Sequence, residues 1–314
     1  MLKILFMGTP DIARESLEKL HKAGFNICGV VTTEDRQKGR GMKINYSPVK
    51  QFALYNNLRL FQPQKIANNK EFKDEIRKLE PDVICVVAYG KILPKSFIDI
   101  PEKGCINLHL SLLPKYRGAA PIQWAVLNGD KKTGVTIMYI NEKMDEGDII
   151  LQKEVDIGDD ETTGELWDRL SIVGANLLIE SLKRIEKGIV LKEKQKGSAS
   201  LAPMLDKKIA KIDWVNKSAA QIKNLVRGLN PIMGAYSYLN DKKIKFWKVE
   251  ILNLNGYEEE DPGTVVISSE KEGLYIKTKS DIISVLEIQG ENAKKMNIKD
   301  FLRGNKISVN EKFV

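Results

Sequence analysis

Cysteine is scarce in this 314-residue sequence. The three that occur, Cys28, Cys85 and Cys105, stand alone in apolar, strand-like segments. They lack the paired spacing that a zinc site or a redox disulfide requires. We therefore expect reduced thiols in the core and no metal site.

Long hydrophobic runs are also missing. The apolar run at the N-terminus is too short for a signal peptide, and no later segment approaches the roughly 18 apolar residues of a membrane span. Hydrophobic residues make up 42% and charged residues 29% of the chain, which is enough to bury a full core and, at this length, to form two domains. We expect a cytoplasmic protein that does not bind membranes.

Only two histidines are present, and one of them, His109, lies in a polar cluster between Gly104 and Gly118. Alternation along an extended backbone directs the side chains of Asn107 and His109 to the same face of a sheet. Pro114 and Gly118 then mark an irregular loop, and the ends of strands in open α/β sheets are where ligands bind. The alternative is a half-buried structural histidine beside an asparagine that caps a turn, which is the more frequent situation for an isolated histidine.

Strand-like and helix-like segments alternate through the first 190 or so residues, as is typical of α/β domains with parallel βαβ units. The turn at Gly8, Thr9 and Pro10 lacks the further glycines of a dinucleotide fingerprint, so a dinucleotide site there has little support. The predicted strands are 2–7, 26–32, 82–88, 104–108 and 134–140, and the predicted helices are 11–23, 48–55, 71–79, 119–128 and 163–187.

A second domain is predicted after a connecting segment. We expect an N-terminal domain over residues 1–188, a linker over 189–205 that is rich in Lys, Gln, Gly, Ser and Ala, and a C-terminal domain over 206–314. Several short strands separated by turns predict a small antiparallel β-barrel in the last segment. Residues 207–314 hold 19 Lys and Arg against 14 Asp and Glu, or +5 of the total charge of +8. Such a barrel suits nucleic-acid binding, or it is an inert cap with a lysine-rich surface.

A cluster of acids follows the predicted strand 134–140, at Asp145, Glu146 and Asp148. It lacks the spaced oxygen ligands of a calcium loop, although one of its acids could orient an imidazole. If the sheet is parallel throughout, this loop and the end of the Asn107/His109 strand open on the same edge, and Asp145 reaches His109. The alternative is a solvated acidic turn.

A series of short motifs is distributed along the chain. They are Met7–Pro10, Asp35 with Gly39–Gly41, Ser47–Lys50, Val86–Gly90, Asn107, His109, Ser111–Pro114, Tyr116–Ile122, Thr133–Ile137, Met144–Asp148 and Ile212–Trp214. Taken together, these motifs resemble those of the 10-formyltetrahydrofolate-dependent formyltransferases, and the resemblance runs from end to end. It implies a Rossmann-like formyltransferase domain with a mostly parallel sheet, followed by a small OB-like β-barrel domain.

The resemblance implies formyl transfer from 10-formyltetrahydrofolate to the α-amino group of methionine esterified to initiator tRNA. Attack by an amine on the formyl carbonyl creates a negatively charged oxygen, which needs hydrogen-bond donors and a group that moves protons. In this reading Asn107 donates to the oxyanion, His109 shuttles the proton and Asp145 fixes the orientation of the imidazole. No metal is implied.

The resemblance also implies two binding regions. We expect a loop with basic residues at 36, 38, 40 and 43 to grip the acceptor end of the tRNA, because it is long and rich in glycine, and lysines of the second domain to contact phosphates. The residues predicted to hold the folate are Val86, Ala88, Tyr89, Gly90, Ser111, Leu112, Leu113 and Pro114. Those predicted to bind tRNA are Arg36, Lys38, Arg40, Lys43, Lys207, Lys208 and Lys211.

Three other functions are open at this point. The first is formyl transfer to a small amine, such as a purine precursor or an amino sugar, which leaves the basic loop and the second domain without a role. The second is hydrolysis of formylfolate, with water as the acceptor. The third is a nucleic-acid-binding module without catalysis, whose binding survives the loss of His109. We expect a monomer.

Overall fold

The computed structural model describes residues 1–38, 43–189 and 192–314. The chain forms two compact units. Unit 1 comprises residues 1–121, 132–156 and 167–203, and unit 2 comprises residues 122–131, 157–166 and 204–314. Residues 122–131 and 157–166 therefore belong to unit 2, although they lie within the segment predicted as the N-terminal domain. In the described parts of the chain, no helix is both long enough and apolar enough to cross a bilayer.

Unit 1 is built on a seven-stranded sheet with the strand order β5-β2-β1-β6-β7-β8-β9. Pairing is parallel from β5 to β7 and antiparallel for β7 with β8 and for β8 with β9, so the prediction of a mostly parallel sheet is confirmed. A separate hairpin is formed by β3 and β4. The strands are β1 (Lys3–Gly8), β2 (Asn26–Val31), β3 (Arg36–Lys38), β4 (Lys43–Asn45), β5 (Leu60–Phe61), β6 (Val83–Val87), β7 (Cys105–His109), β8 (Lys132–Tyr139) and β9 (Ile149–Asp156).

Two helices of the first 190 residues begin at a side-chain cap. The Ser47 side chain accepts from the backbone N–H of Lys50, and that of Asn69 accepts from the N–H of Phe72. Proline stands at the first position of the second helix, where its missing N–H costs nothing. The helices are α1 (Asp11–Lys22), α2 (Pro48–Tyr55), α3 (Lys70–Lys78), α4 (Lys95–Ile98), α5 (Pro121–Leu127) and α6 (Thr163–Glu186).

Gly8 ends β1 at a point where three elements approach closely. A Cβ atom there would lie 2.5 Å from the Cβ of Ala13 in α1 and 2.8 Å from the carbonyl oxygen of Val87 in β6. Glycine is therefore required for the packing of the strand against the helix and the neighbouring strand.

Unit 2 carries the antiparallel sheet that the sequence predicts, with the order β10-β11-β14-β13-β12 and β15 paired with β14. The Trp214 indole lies in its core, against the rings of Phe246 and Phe313, and donates to the hydroxyl of Ser237. The elements are a 3₁₀ helix at Lys207–Ala210, α7 (Ala219–Gly228), β10 (Ala235–Leu239), β11 (Lys242–Leu252), β12 (Val265–Ser269), β13 (Gly273–Lys277), β14 (Ile282–Gln289), β15 (Met296–Asn297) and α8 (Ile298–Gly304).

Residues 311–314 join the two edge strands of this sheet. Val314 exchanges both backbone hydrogen bonds with Tyr238 of β10, each 2.9 Å long. On the other side, the N–H of Val265 in β12 donates to the carbonyl of Glu311 at 2.8 Å. The sheet thus closes on itself as a small barrel, which leaves fewer unpaired edges.

Candidate active site

Asn107 and His109 lie on the same face of the sheet in unit 1. In the antiparallel register of β7 with β8, Asn107 is opposite Met138 and His109 is opposite Thr136. Because directly opposed residues share a face, the four side chains point to one side of the sheet. Asn107 is half-buried and His109 is only 6% exposed.

Both nitrogens of the His109 ring face an oxygen. Nε2 lies 2.9 Å from the carbonyl oxygen of Tyr116, and Nδ1 lies 3.7 Å from Oδ2 of Asp145. A neutral imidazole has one N–H, so it can donate to only one of these oxygens at a time. The ring is therefore held between a fixed carbonyl and a carboxylate, which is an arrangement suited to moving a proton.

Asp145 was predicted to reach His109 because both would follow the carboxyl ends of parallel strands at one edge of the sheet. The two residues are close, but this explanation is wrong. Since β8 is antiparallel to β7, Tyr139 at the end of β8 lies opposite Ile106, near the start of β7 and away from the edge where His109 lies. The two residues meet because the loop after β8 turns back. The N–H of Tyr139 donates to the carbonyl of Asp148 at 2.9 Å, so the loop closes at its base.

Two further features place the Asp145 carboxylate. Asp145 has a φ of +54°, an uncommon backbone conformation for a residue with a side chain, and its Oδ2 accepts from the N–H of Gly118 at 2.8 Å. At Gly147 an added Cβ would lie 1.6 Å from the carbonyl oxygen of Tyr139. Only glycine fits there, and the loop backbone runs directly against the end of β8.

The Asn107 side chain makes no hydrogen bond with any residue that the structure describes. Its amide is half-buried beside His109, and Val86 of β6 is its neighbour in the parallel register. An amide with a donor and an acceptor unused can bind a polar atom of a ligand.

The loop after β7 is supported by polar side chains from β8 and β9. The Thr136 hydroxyl donates to the carbonyl of Ser111 at 2.7 Å and accepts from the N–H of Leu113 at 3.2 Å. Gln152 donates to the carbonyl of Leu113 at 2.8 Å and to the Thr136 hydroxyl at 2.9 Å. Gln152 was missed by sequence reasoning, because it lies on β9, which was not predicted.

The residues predicted to hold a folate lie at the ends of β6 and β7. Ala88 and Gly90 are exposed, with φ angles of +45° and +84°, and the Thr9 hydroxyl donates to the carbonyl of Tyr89 between them. The Tyr89 side chain is buried, and this burial raises its pKa to about 12. Residues 88–90 can therefore contact a ligand through backbone groups but not through the Tyr89 phenol.

The loop after β7 contributes mainly apolar surface. Leu112 and Pro114 are half-buried, Leu113 is buried, and the hydroxyl of the buried Ser111 donates to the carbonyl of Lys115 at 2.6 Å. Apolar side chains and backbone polar groups next to the unused Asn107 amide suit a flat heteroaromatic ring.

Comparison with known families identifies the chain. The family described as formyl transferase matches residues 2–182, and the formyl transferase C-terminal domain matches residues 204–306. The chain belongs to the formyl transferase family.

Relatives of this formyl transferase are similar over its whole length. A protein of Clostridioides difficile named methionyl-tRNA formyltransferase is 47% identical over 309 residues, which is 98% of each chain. Among solved structures, an N-formyltransferase from Helicobacter canadensis with folinic acid and dTDP-3-aminofucose has a TM-score of 0.66 and 22% identity, covering 91% of this chain and 99% of that one. HypX from Aquifex aeolicus with tetrahydrofolic acid has a TM-score of 0.63 and 14% identity; the match covers 98% of this chain and 50% of HypX.

The residues predicted to bind tRNA are spread over both units of this formyl transferase. The backbones of Arg36, Lys38 and Lys43 belong to the β3–β4 hairpin, whereas Arg40 lies outside the described residues. In unit 2, the lysines at 207, 208 and 211 are exposed at the 3₁₀ helix and just after it. Within the described parts of the chain, none of these three lysines forms an ion pair.

The segment predicted as a simple linker contains residues of the site that sequence reasoning missed. The Ser200 hydroxyl accepts from the N–H of Tyr116 at 2.9 Å, and the Gln195 amide contacts both Arg117 and the Asp145 loop. Composition gives no signal for either residue. Across the residues that the structure describes, no three His, Cys, Asp or Glu side chains are arranged to hold a metal ion.

Proposed function

We propose that this formyl transferase moves the formyl group of 10-formyltetrahydrofolate to the α-amino group of methionyl initiator tRNA and so makes N-formylmethionyl-tRNA for translation initiation. The observation that carries the proposal is the similarity of the whole chain, both units included, to a protein named methionyl-tRNA formyltransferase. The folded-back loop that brings Asp145 to His109, next to the unused Asn107 amide, supports the chemistry.

The reaction needs three functions from the protein. The amine nitrogen attacks the formyl carbon and forms the new C–N bond, and the carbonyl oxygen becomes an oxyanion, to which the Asn107 amide donates. The bond from carbon to N10 of the folate then breaks as the carbonyl re-forms. His109 carries the proton lost by the amine to N10, while Asp145 orients the ring.

The binding roles follow from the positions of the loops. The folate lies against the backbone of residues 88–90 and the apolar loop at 111–114, with its formyl group toward Asn107. The basic hairpin and the lysines at 207, 208 and 211 bind the tRNA through its phosphates. Such contacts position a nucleic acid without reading its sequence. We place the enzyme in the cytoplasm, as a monomer.

The test is transfer of labelled formyl from 10-formyltetrahydrofolate to methionyl initiator tRNA, in parallel with free methionine, an amino sugar nucleotide and water as acceptors. We expect transfer to the charged tRNA alone, and a loss of at least about 10²-fold in kcat for His109→Ala, because the proton shuttle is lost. The matched control is His21→Ala, since His21 is the only other histidine and lies exposed in α1.

Each other outcome rejects part of the proposal. Release of formate into water makes the protein a hydrolase, and transfer to the amino sugar makes it an enzyme of small amines. Undiminished turnover by His109→Ala rejects the assigned proton shuttle. Binding of tRNA without any turnover by the native protein supports the binding module.

A further inference from the structure

Gln195 uses every polar atom of its side chain on the loops of the candidate site. Its Oε1 accepts from Nε and Nη2 of Arg117, at 3.2 and 2.7 Å. Its Nε2 donates to the carbonyl oxygens of Asp145 and Gly147, at 2.8 and 3.0 Å. A primary amide has two donors and two acceptor lone pairs, so this side chain is fully satisfied.

The donor side of Gln195 fixes the backbone on both sides of Glu146. The position of the Asp145 carboxylate depends on that backbone, because its Oδ2 must reach the N–H of Gly118 and Nδ1 of His109 together. The positive φ of Asp145 makes this conformation costly for the isolated loop. Contacts from elsewhere in the fold must hold it.

The acceptor side of Gln195 fixes Arg117, which holds the same loop. Arg117 Nη1 lies 2.8 Å from Oε1 of Glu146, and the Arg117 side chain is 17% exposed. One amide therefore holds the loop directly through two carbonyls and indirectly through an ion pair. A hydrogen bond between two charged groups is shorter and stronger than one between neutral groups.

Gln195 is itself held in place by the backbone that follows it. The N–H of Arg117 donates to the carbonyl of Ser200 at 2.8 Å, the N–H of Ala202 donates to the carbonyl of Arg117 at 2.7 Å, and the N–H of Ala120 donates to the carbonyl of Ala202 at 3.0 Å. Gln195 is half-buried between two exposed lysines. The geometry thus sets one side chain of this segment apart from its neighbours.

We infer that Gln195 is a positioning residue, which sets the Asp145 carboxylate against the His109 imidazole for the transfer step. The inference rests on the proposed function, in which those two residues act on the reacting atoms. Gln195 itself touches neither the folate nor the acceptor in this assignment.

The expected signature is a loss in kcat without a loss in binding. Gln195→Ala lowers kcat by about 10- to 100-fold, as is typical when a group that orients a reacting residue is removed, and leaves the KM values for the folate and the tRNA within about threefold. Gln195→Glu keeps the acceptor for Arg117 but loses both donors and places a carboxylate against two carbonyls. The kcat of Gln195→Glu therefore falls at least as far as that of Gln195→Ala.

The deciding experiment is a double-mutant cycle with Asp145→Asn, measured as kcat for formyl transfer. If Gln195 acts through Asp145, Gln195→Ala costs less than about threefold once Asp145 is already replaced. Equal losses in both backgrounds overturn the inference, as does a Gln195→Glu variant with native kcat. Ser198→Ala, an exposed neighbour in the same segment, is the control, and thermal unfolding of each variant identifies misfolding.

The two proposals fail in different ways. If the native protein transfers no formyl group to methionyl-tRNA, the proposed function fails before any variant is made. If the native protein is active and Gln195→Ala keeps its kcat, only the positioning role is rejected.

Discussion

Lys50 is a lysine that the fold buries, with 9% of its surface exposed. Its Nζ donates to Oδ2 of Asp35 at 2.6 Å and to Oε1 of Gln62 at 2.8 Å, and Gln62 in turn donates to Oδ1 of Asp35. A buried ammonium requires such partners, because its desolvation is otherwise uncompensated. The three side chains fix the backbone just before the β3–β4 hairpin.

This cluster predicts a pH dependence of stability. Hydrogen bonds from Lys50, and then from Gln62, hold the pKa of Asp35 below its usual value. A carboxyl group whose pKa is lower in the folded state stabilises the fold above its unfolded pKa of about 3.9, and the stabilisation is lost as the pH falls through the folded value. Asp35→Asn therefore lowers the melting temperature at pH 7 and has a smaller effect near pH 3.

The measurement is thermal unfolding of both proteins across this pH range. The matched control is Asp159→Asn, since Asp159 also pairs with a lysine, Lys131, but both side chains are about three-quarters exposed. Solvent screens such a pair, so its removal changes the melting temperature little. A pH-independent difference for Asp35→Asn would contradict the prediction.

At the scale of elements, β9 is the longest strand that sequence reasoning missed. Its last five residues, Gln152–Asp156, are polar except for Val155 and are mostly exposed, because β9 is the edge strand of the sheet. This part of β9 therefore lacks an apolar pattern. The five strands predicted in the first 140 residues all form, since their apolar runs are buried. The short strands β5 and β15 have only two residues each and give no periodic signal.

Gly134 of β8 lies close both to β9 and to the loop predicted to hold the folate. A Cβ atom there would lie 2.3 Å from the carbonyl oxygen of Lys153 in β9 and 2.5 Å from Cδ2 of Leu112. Gly134→Ala therefore has to displace a strand or the loop, and we expect a loss of about 1–3 kcal/mol in stability, together with a higher KM for the folate. The KM for tRNA should stay nearly unchanged.

Chemical denaturation and steady-state kinetics check this prediction. Gly304→Ala at the end of α8 is the control, because nothing lies within 4 Å of a Cβ built there. Native stability and a native folate KM in Gly134→Ala would show that the loop does not depend on this close approach.

At the scale of the whole molecule, local sequence patterns predict the candidate site only where its residues are close in sequence. Alternation on one strand places Asn107 and His109 together. The prediction that Asp145 lies close to His109 assumed that β7 and β8 are parallel, whereas they are antiparallel. The resemblance to a family supported the pairing instead. Gln195 lies 78 and 50 residues from its partners Arg117 and Asp145, so no local pattern could indicate it.

Charge is also a property of the whole chain, and the net charge of +8 predicts salt-sensitive tRNA binding. Replacing Lys207, Lys208 and Lys211 by glutamine should make the dependence of tRNA affinity on salt less steep. The slope of log affinity against log salt concentration should fall in magnitude by up to about 0.9 for each phosphate that a lysine no longer neutralises. The folate KM should stay unchanged. Titration of binding at several salt concentrations measures the slope. The control variant replaces the exposed lysines 271, 279 and 299 and so has the same net charge.

The pairing of residues 200–202 with the loop around Arg117 limits where this chain can be recombined with a relative. A chimera joined at residue 188 takes the Gln195 segment from one parent and the Arg117 and Asp145 loops from the other. Its formyl-transfer rate then depends on whether those parents share the same hydrogen bonds. A crossover placed after Pro203 keeps the segment and both loops from a single parent, so these hydrogen bonds are retained. It takes residues 122–131 and 157–166 of unit 2 from a different parent than residues 204–314, so the contacts within unit 2 are then the ones that the parents must share.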